Sequence, residues 1–349
     1  MTALTGQVAV RRRSRALDGR WRQALVVALF AALLVAPFVA SPFFFVQILI
    51  RSLWLGTVAV SLTFLIRYAG MISLAQTAIY GVAAYVTANL SVTRGVDPWA
   101  AAAAGVGVAV VLALLVGTLA ARARGVYFLM LTLAVGVFIY YFALQYRPFT
   151  FGFSGINGVQ VPAVGSLQLS DPRNFYYVAL AASGLCWAGL RAYSRSPMGI
   201  ALQADRDCPE RVRALGMEPV LVRIAGFTVA GFVAAIGGVL SVWFNGQVSP
   251  GSLDVTRTID VLVIAVLGGV ARLEGAWLGA LLLSVLTVYV SDITDYYRTV
   301  IGLVFIGVVL VSPNGVPGLV TSAVSGIRRR QTRTPDHSSV PPKHQEKPS

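Results

Sequence analysis

Few side chains in this chain could carry covalent or redox chemistry, and they are badly placed for it. The lysines, Lys343 and Lys347, and the histidines, His337 and His344, all fall close to the C-terminus. A phosphate-binding loop needs a lysine directly after its glycines, so nucleotide hydrolysis by this chain is not expected. Cys186 and Cys208 lack metal-ligand spacing. Cys186 reads as a small apolar packing residue, and Cys208 as a reduced cytoplasmic thiol. Coupling to a proton or sodium gradient would call for ionisable groups inside apolar segments. Asp260 is the one candidate, near the outer end of a helix, while Arg51 sits where it can snorkel. What remains is a set of uncharged hydrogen-bonding groups in apolar stretches: Ser73, Gln76, Thr77 and Thr132. These either line a path for a small polar solute or glue helices together, at roughly 0.6 kcal/mol each.

The elements that must position these groups are membrane helices. The chain has 349 residues, 56% hydrophobic and 12% charged, against about 25% charged in soluble domains. Apolar spans are expected at about Ala24–Ala40, Phe44–Ile66, Leu74–Leu90, Trp99–Ala120, Val126–Tyr146, Phe175–Tyr193, Ile224–Phe244, Ile259–Val270, Ala276–Val290 and Val300–Val311. The fold class is therefore an all-α polytopic membrane protein of about ten transmembrane helices. Its domains are a basic cytoplasmic N-terminus (1–23), a transmembrane domain (24–320) and a disordered cytoplasmic tail (321–349). The net charge of +14 argues for orientation rather than nucleic-acid binding, because arginine concentrates beside the apolar segments and in the termini. With both termini cytoplasmic, Arg67, Arg122, Arg124, the Ser194–Arg223 stretch, Arg272 and Arg328–Arg330 fall inside, and Asp97, Asp171, Asp254, Asp292 and Asp295 outside; Arg94, Arg147, Arg173, Arg257 and Arg298 also fall outside, so the bias is clear without being absolute. Arg11–Arg13 ahead of Ala24–Ala40 resemble a signal-peptide n-region, but Pro37 and Pro42 flank the cleavage position awkwardly. An uncleaved first helix is the reading adopted.

Two glycine patterns stand out. Gly226, Ala230, Ala234 and Gly238 recur every four residues, a small-residue stripe for close helix packing. Gly268-Gly269, Arg272, Gly275 and Gly279 predict a sharp turn or a broken helix.

The longest polar stretch between spans, Ser194–Arg223, has the grammar of a short docking helix. Asp207 is placed to cap it, Pro209 fits the first turn, and Glu210 lies three residues after Asp207, as in a capping box. Gly216 supplies a stop. Val212 and Leu215 are expected to share one face, with Arg211 and Arg213 pointing elsewhere.

Ser196-Pro-Met-Gly199, Ala201, Ala204, Arg206, Glu210 and Ala214-Leu215-Gly216 resemble the EAA-type coupling loop of ABC importer permeases, nearest to the LivM-like branch of the branched-chain amino-acid permeases, which implies an ATPase-coupling role for these residues and for Asp207 among them. Arg211 and Val212 depart from that pattern, standing where the family prefers two small residues. Gly70-Met-Ile-Ser73-Leu-Ala-Gln76, Gly125-Val-Tyr127-Phe128 with Thr132, Phe151–Gly158 and Val311-Ser-Pro313-Asn-Gly315 are similar to further segments of the family in the same order.

The resemblance implies a permease subunit in the cell inner membrane, working by alternating access with a cytoplasmic coupling helix. It also implies two ABC ATPase subunits carrying ATP and Mg, a second LivH-like permease and an extracytoplasmic substrate-binding protein. The chain itself would bind lipid but no nucleic acid, metal or cofactor. The implied solutes are branched-chain amino acids, or amides and urea. A stand-alone channel or facilitator for a small polar solute is the alternative.

Overall fold

Four helices begin on a hydroxyl or carboxylate followed by proline: Ser41-Pro42, Asp97-Pro98, Asp171-Pro172 and Ser196-Pro197. In each the side-chain oxygen accepts from a backbone N–H of the first turn, as Asp97 does from Trp99 N at 3.0 Å. Proline then occupies a position whose N–H would have had no partner. These start signals punctuate the apolar runs and set where the chain reverses.

In the computed structural model, residue 37 and residues 41–164, 167–294 and 296–311 are described. They form α1 (Pro42–Ala69), α2 (Gln76–Thr93), α3 (Pro98–Ala120), α4 (Val126–Gln145), α5 (Pro172–Arg195), α6 (Pro197–Asp207), α7 (Pro209–Ala214), α8 (Pro219–Asn245), α9 (Val255–Leu267), α10 (Gly275–Ile293) and α11 (Tyr297–Val311). Each expected span from Phe44 onward corresponds to one helix, to within a few residues. The expected first segment Ala24–Ala40, apart from residue 37, the turn after Val311 and the tail lie outside the described residues. Five helices, α1, α3, α4, α8 and α10, are long and apolar enough to cross a membrane. The chain is thus a helical, polytopic integral membrane protein.

The core forms around α8, which packs on α1, α2 and α3. Its stripe Gly226, Ala230, Ala234 and Gly238 is buried throughout. A Cβ on Gly238 would lie 2.2 Å from the Tyr80 carbonyl oxygen, so the close approach of α8 to α2 depends on glycine there. With little hydrophobic drive between helices in lipid, such contact and interhelical hydrogen bonds hold the bundle. Thr57 Oγ1 meets Ser183 Oγ at 2.8 Å, and Tyr80 OH meets Ser241 Oγ at 2.9 Å. By contrast, Tyr127, Met130 and Phe138 of α4 are exposed, an apolar face suited to lipid or to another helix.

The expected glycine break is a sharp turn between α9 and α10. Gly269 has φ +79°, and a Cβ on Gly275 would sit 1.9 Å from the Gly268 carbonyl oxygen.

The helices reverse at two ends. At one, Arg206 Nη1 donates to the Arg67 carbonyl, Arg223 Nη1 to the Ala121 carbonyl, and Arg191 pairs with Glu274. At the other, β1 (Ile156–Asn157) pairs antiparallel with β4 (Gln247–Val248), and Asn89 Nδ2 donates to the Phe149 carbonyl. A small hairpin of β2 (Ala163–Val164) and β3 (Leu167–Gln168) lies in the same connection.

Candidate functional site

The stretch Ser194–Arg223 is a compact two-helix unit, α6 and α7, folded against one end of the bundle. Ser196 ends α5 and caps α6: its Oγ accepts from Gly199 N at 3.2 Å and donates to the Tyr193 carbonyl at 2.7 Å. The backbone folds back so tightly that a Cβ on Gly199 would lie 1.9 Å from the Tyr193 oxygen. Gln203 Nε2 bridges the Ser194 and Gly199 carbonyls at 2.9 and 3.0 Å, fastening the turn.

The unit has an inner and an outer face. Ala201, Leu202, Asp205 and Val212 are buried, with Leu202 packed over Gly226 of α8. Asp205 and Arg223 form a buried, bidentate ion pair, Nε to Oδ2 at 2.6 Å and Nη2 to Oδ1 at 3.0 Å, with side chains 2% and 8% exposed. Arg223 Nη1 also donates to the Ala121 carbonyl at 3.2 Å. One guanidinium therefore ties α6, α8 and the end of α3 together, with fork geometry matched to carboxylate. Arg206 adds its bond to the Arg67 carbonyl and packs against Gly70, which closes α1 at φ +66°.

Asp207, Glu210, Arg211, Arg213, Ala214, Leu215 and Gly216 make up the outer face, all exposed, with Leu215 at 73%. Ala204 lies half-buried between the faces. Asp207 is held below the usual carboxylate pKa by the hydrogen bond from Arg206 Nε, 2.8 Å.

Two expectations are corrected. Asp207 does not cap α7: it is the last residue of α6, and Cys208, in extended conformation, stands at the N-cap with no side-chain bond. The preceding helix has already claimed Asp207 in helical geometry, which turns its carboxylate toward Arg206. Val212 and Leu215 do not share a buried face, because the helix ends between them; Val212 is fully buried and Leu215 faces solvent. Pro209 does begin α7, and Gly216 does follow it at φ +79°.

The four polar residues considered for a solute path are all buried. Thr132 Oγ1 accepts from Leu74 N at 3.1 Å, Ser73 Oγ accepts from Ala75 N at 3.3 Å, and Gln76 Oε1 accepts from Ser61 Oγ at 3.2 Å. These three shape the irregular entry to α2. Thr77 differs, lining a void of about 20 Å³ with Trp54, Tyr80 and Arg257, room for about one water. Sequence reasoning gave no role to Asp205 or Arg223. The available signal was a charge on the apolar side of each helix, at Ala201-Leu202-x-x-Asp205 and within Val222-Arg223-Ile224.

The two-helix unit is an anchored element at one end of a membrane bundle, presenting Leu215 among charges, with Met198 and Ile200 of α6 also exposed.

The family model for the branched-chain amino acid transport system / permease component matches residues 44–310, and the chain belongs to this family. It is similar to the high-affinity branched-chain amino acid transport system permease protein LivM of Salmonella typhimurium and of Escherichia coli, 26% identical over 278 residues, 73% of this chain and 65% of each relative. The match thus spans less than two thirds of those relatives' length. BraD of Pseudomonas aeruginosa is 30% identical over 173 residues, 49% of this chain and 52% of BraD. LivH of Escherichia coli is 32% identical over 130 residues, 36% of this chain and 41% of LivH. No solved structure matches the chain.

Proposed function

We propose that this chain is the membrane subunit of an ATP-driven importer in the cell inner membrane. It would move branched-chain amino acids or related small polar solutes into the cytoplasm by alternating access. Two separate ATPase subunits, carrying ATP and Mg, dock on the outer face of α6–α7, which lies on the cytoplasmic side with both termini. A second, LivH-like permease sits beside the bundle, and an extracytoplasmic binding protein delivers solute. In this reading α2, α5, α9 and α11 cross the membrane with the five longer helices and the expected first segment. Similarity to both LivM and LivH, each named as a permease protein of a branched-chain amino acid system, supports the solute class and the pairing.

The observation that carries the reading is the two-sidedness of the α6–α7 unit. Leu215, Glu210 and Arg213 offer a surface for a partner, while the Asp205–Arg223 pair transmits whatever that partner does directly into α8. A ligand shifts a two-state equilibrium only by its differential affinity for the two states, so the ATPase's change on nucleotide binding must reach α8 through a stiff link. The test is ATP-dependent leucine uptake into proteoliposomes holding the complete set of subunits. Glu210→Arg should abolish coupling, leaving ATP hydrolysis without uptake and this subunit still in the membrane. Unchanged uptake by that variant would remove the docking assignment.

A further inference from the structure

One polar contact outside the α6–α7 unit ties the end of α5 to the start of α10. Glu274, just ahead of α10, accepts from Trp187 Nε1 at 3.1 Å and from Arg191 Nη1 at 3.4 Å, both on α5. The Arg191 guanidinium also lies over the Trp187 ring, 5.2 Å from its centroid. The side chains of Arg191 and Glu274 are each 46% exposed. An ion pair so open to water is weak, and it can break and re-form without stranding a buried charge, which the Asp205–Arg223 pair cannot do. Arg191 stands five residues before Ser196, where α5 gives way to α6, about 7.5 Å along the helix. Whatever moves α6 therefore moves the α5 side of this contact.

The other side is a stiff body. α9 and α10 form a hairpin whose backbones touch through glycine. A Cβ on Gly268 would lie 2.1 Å from the Gly275 carbonyl oxygen, and one on Gly279 would lie 2.2 Å from the Ile264 carbonyl oxygen. Packing that close leaves the two helices little freedom to shift against each other, so the hairpin moves as one piece. It meets α1 through Trp277, whose indole fills the notch at Gly56, where a Cβ would lie 2.3 Å from Trp277 Cδ1. Trp277 Nε1 makes no hydrogen bond, so nothing polar fixes the indole in its notch.

Beyond that pivot, at the end remote from α6, lies a cavity of about 420 Å³ bounded by α1, α9, α10, α11 and the loop before α9, with Arg51, Asp260, Ser284 and Arg298 in its walls. Gly251 and Arg257 on its rim are exposed. A cavity on one side of a stiff hairpin leaves it room to tilt. Along α10, at 1.5 Å per residue, Glu274 is about 4.5 Å from Trp277, and Thr287 on the cavity wall is about 15 Å from it on the other side. A displacement at Glu274 is thus magnified about threefold at the cavity.

We propose that Glu274, Arg191 and Trp187 form a latch, that the α9–α10 hairpin rocks on Trp277, and that the closed latch holds the remote cavity open. Displacement of α6–α7 by a docked partner shifts the end of α5, breaks the latch and lets the hairpin tilt into the cavity. The proposal rests on the docking reading of α6–α7 and adds a second route from that unit, separate from the Asp205–Arg223 link into α8. A contact made in only one of two states favours that state by no more than its own strength, so loss of the latch should shift the balance severalfold.

The test is thiol accessibility of the cavity in the full-length chain in lipid nanodiscs. Thr287→Cys, in a background of Cys186→Ala and Cys208→Ser, is labelled with a water-soluble methanethiosulfonate and the rate measured. Adding Glu274→Ala should slow labelling about three- to tenfold, the scale of an exposed ion pair with its stacked ring. The charge-reversed pair Arg191→Glu/Glu274→Arg should return the rate to within about twofold of the latched chain, which no general loss of packing would allow. In the complete transporter, with Thr287 native, Arg191→Cys and Glu274→Cys bridged by a short bis-methanethiosulfonate should stop leucine uptake, and reductant should restore it. An unchanged labelling rate in Glu274→Ala, a slowed rate that charge reversal does not recover, failure of the two cysteines to bridge, or undiminished uptake with the bridge in place would overturn the latch. Each of these results leaves ATP-driven uptake by the wild-type transporter standing. Absence of uptake by the wild type, with latch-dependent labelling intact, would instead remove the transport reading and keep the latch.

Discussion

Removing the Asp205 carboxylate should release α6 from the bundle. Arg223 is 8% exposed in its side chain and has three contacts: two to Asp205 and one to the Ala121 carbonyl. In Asp205→Ala the guanidinium keeps only the carbonyl and stays buried without a counter-charge. Breaking a buried pair in this way costs about 3–5 kcal/mol. The weakest way out is local: α6 lifts, Arg223 reaches water, and the rest of the bundle holds. At about 1.4 kcal/mol per tenfold, protection of the α6 amides should fall roughly a hundred- to several-thousand-fold. Hydrogen exchange read by mass spectrometry on peptides covering 199–207 measures this directly, with α2 peptides as an internal reference. The double variant Asp205→Leu/Arg223→Met removes both charges and leaves apolar side chains of similar volume. Replacing a whole buried pair is neutral to stabilising in other proteins, so this variant should restore most of the protection. The reasoning fails if Asp205→Ala changes α6 exchange by less than threefold, or if the double variant exchanges as fast as the single one.

Gly199→Ala should be poorly tolerated, because its Cβ would collide with the Tyr193 carbonyl and the clash is with backbone. A destabilisation of at least 1–3 kcal/mol is expected, read as a lowered melting temperature of the purified subunit. Leu215→Asp changes an exposed residue outside the core, so stability should move by less than about 0.5 kcal/mol while ATP-coupled uptake drops at least tenfold. Gly216→Pro places a residue fixed near φ −65° where φ is +79°; uptake should be lost with the protein still membrane-inserted on fractionation. Leu215→Cys in a background lacking Cys186 and Cys208 should react with a membrane-impermeant maleimide only when the cytoplasmic side is accessible. Labelling from the outside would invert the proposed orientation.

Much of the architecture was legible because lipid imposes local rules. A backbone that must satisfy its own hydrogen bonds becomes a helix wherever the apolar run is long enough, so the positions of the helices followed from hydropathy, and the stripe Gly226, Ala230, Ala234, Gly238 declared a packing face by spacing alone. Pro209 and Gly216 bounded α7 for equally local reasons, one lacking an N–H and the other tolerating positive φ. Local grammar failed where two elements compete for one residue. Asp207 and Glu210 have capping-box spacing, yet α6 runs through Asp207 and leaves Cys208 at the cap, a result that depends on how α6 seats against α8.

The sequence by itself therefore determined where helices run and which stretch between them is built to be more than a turn. Tertiary structure alone decided what that stretch holds on to. Asp205 and Arg223 lie 18 residues apart and meet only because the chain reverses between α6 and α8. Arg51, Asp260, Ser284 and Arg298 come from four different helices, and no spacing along one chain relates them. Periodicity reports which side of a single helix is apolar, whereas the partner of a buried charge is set by the docking of helices against one another.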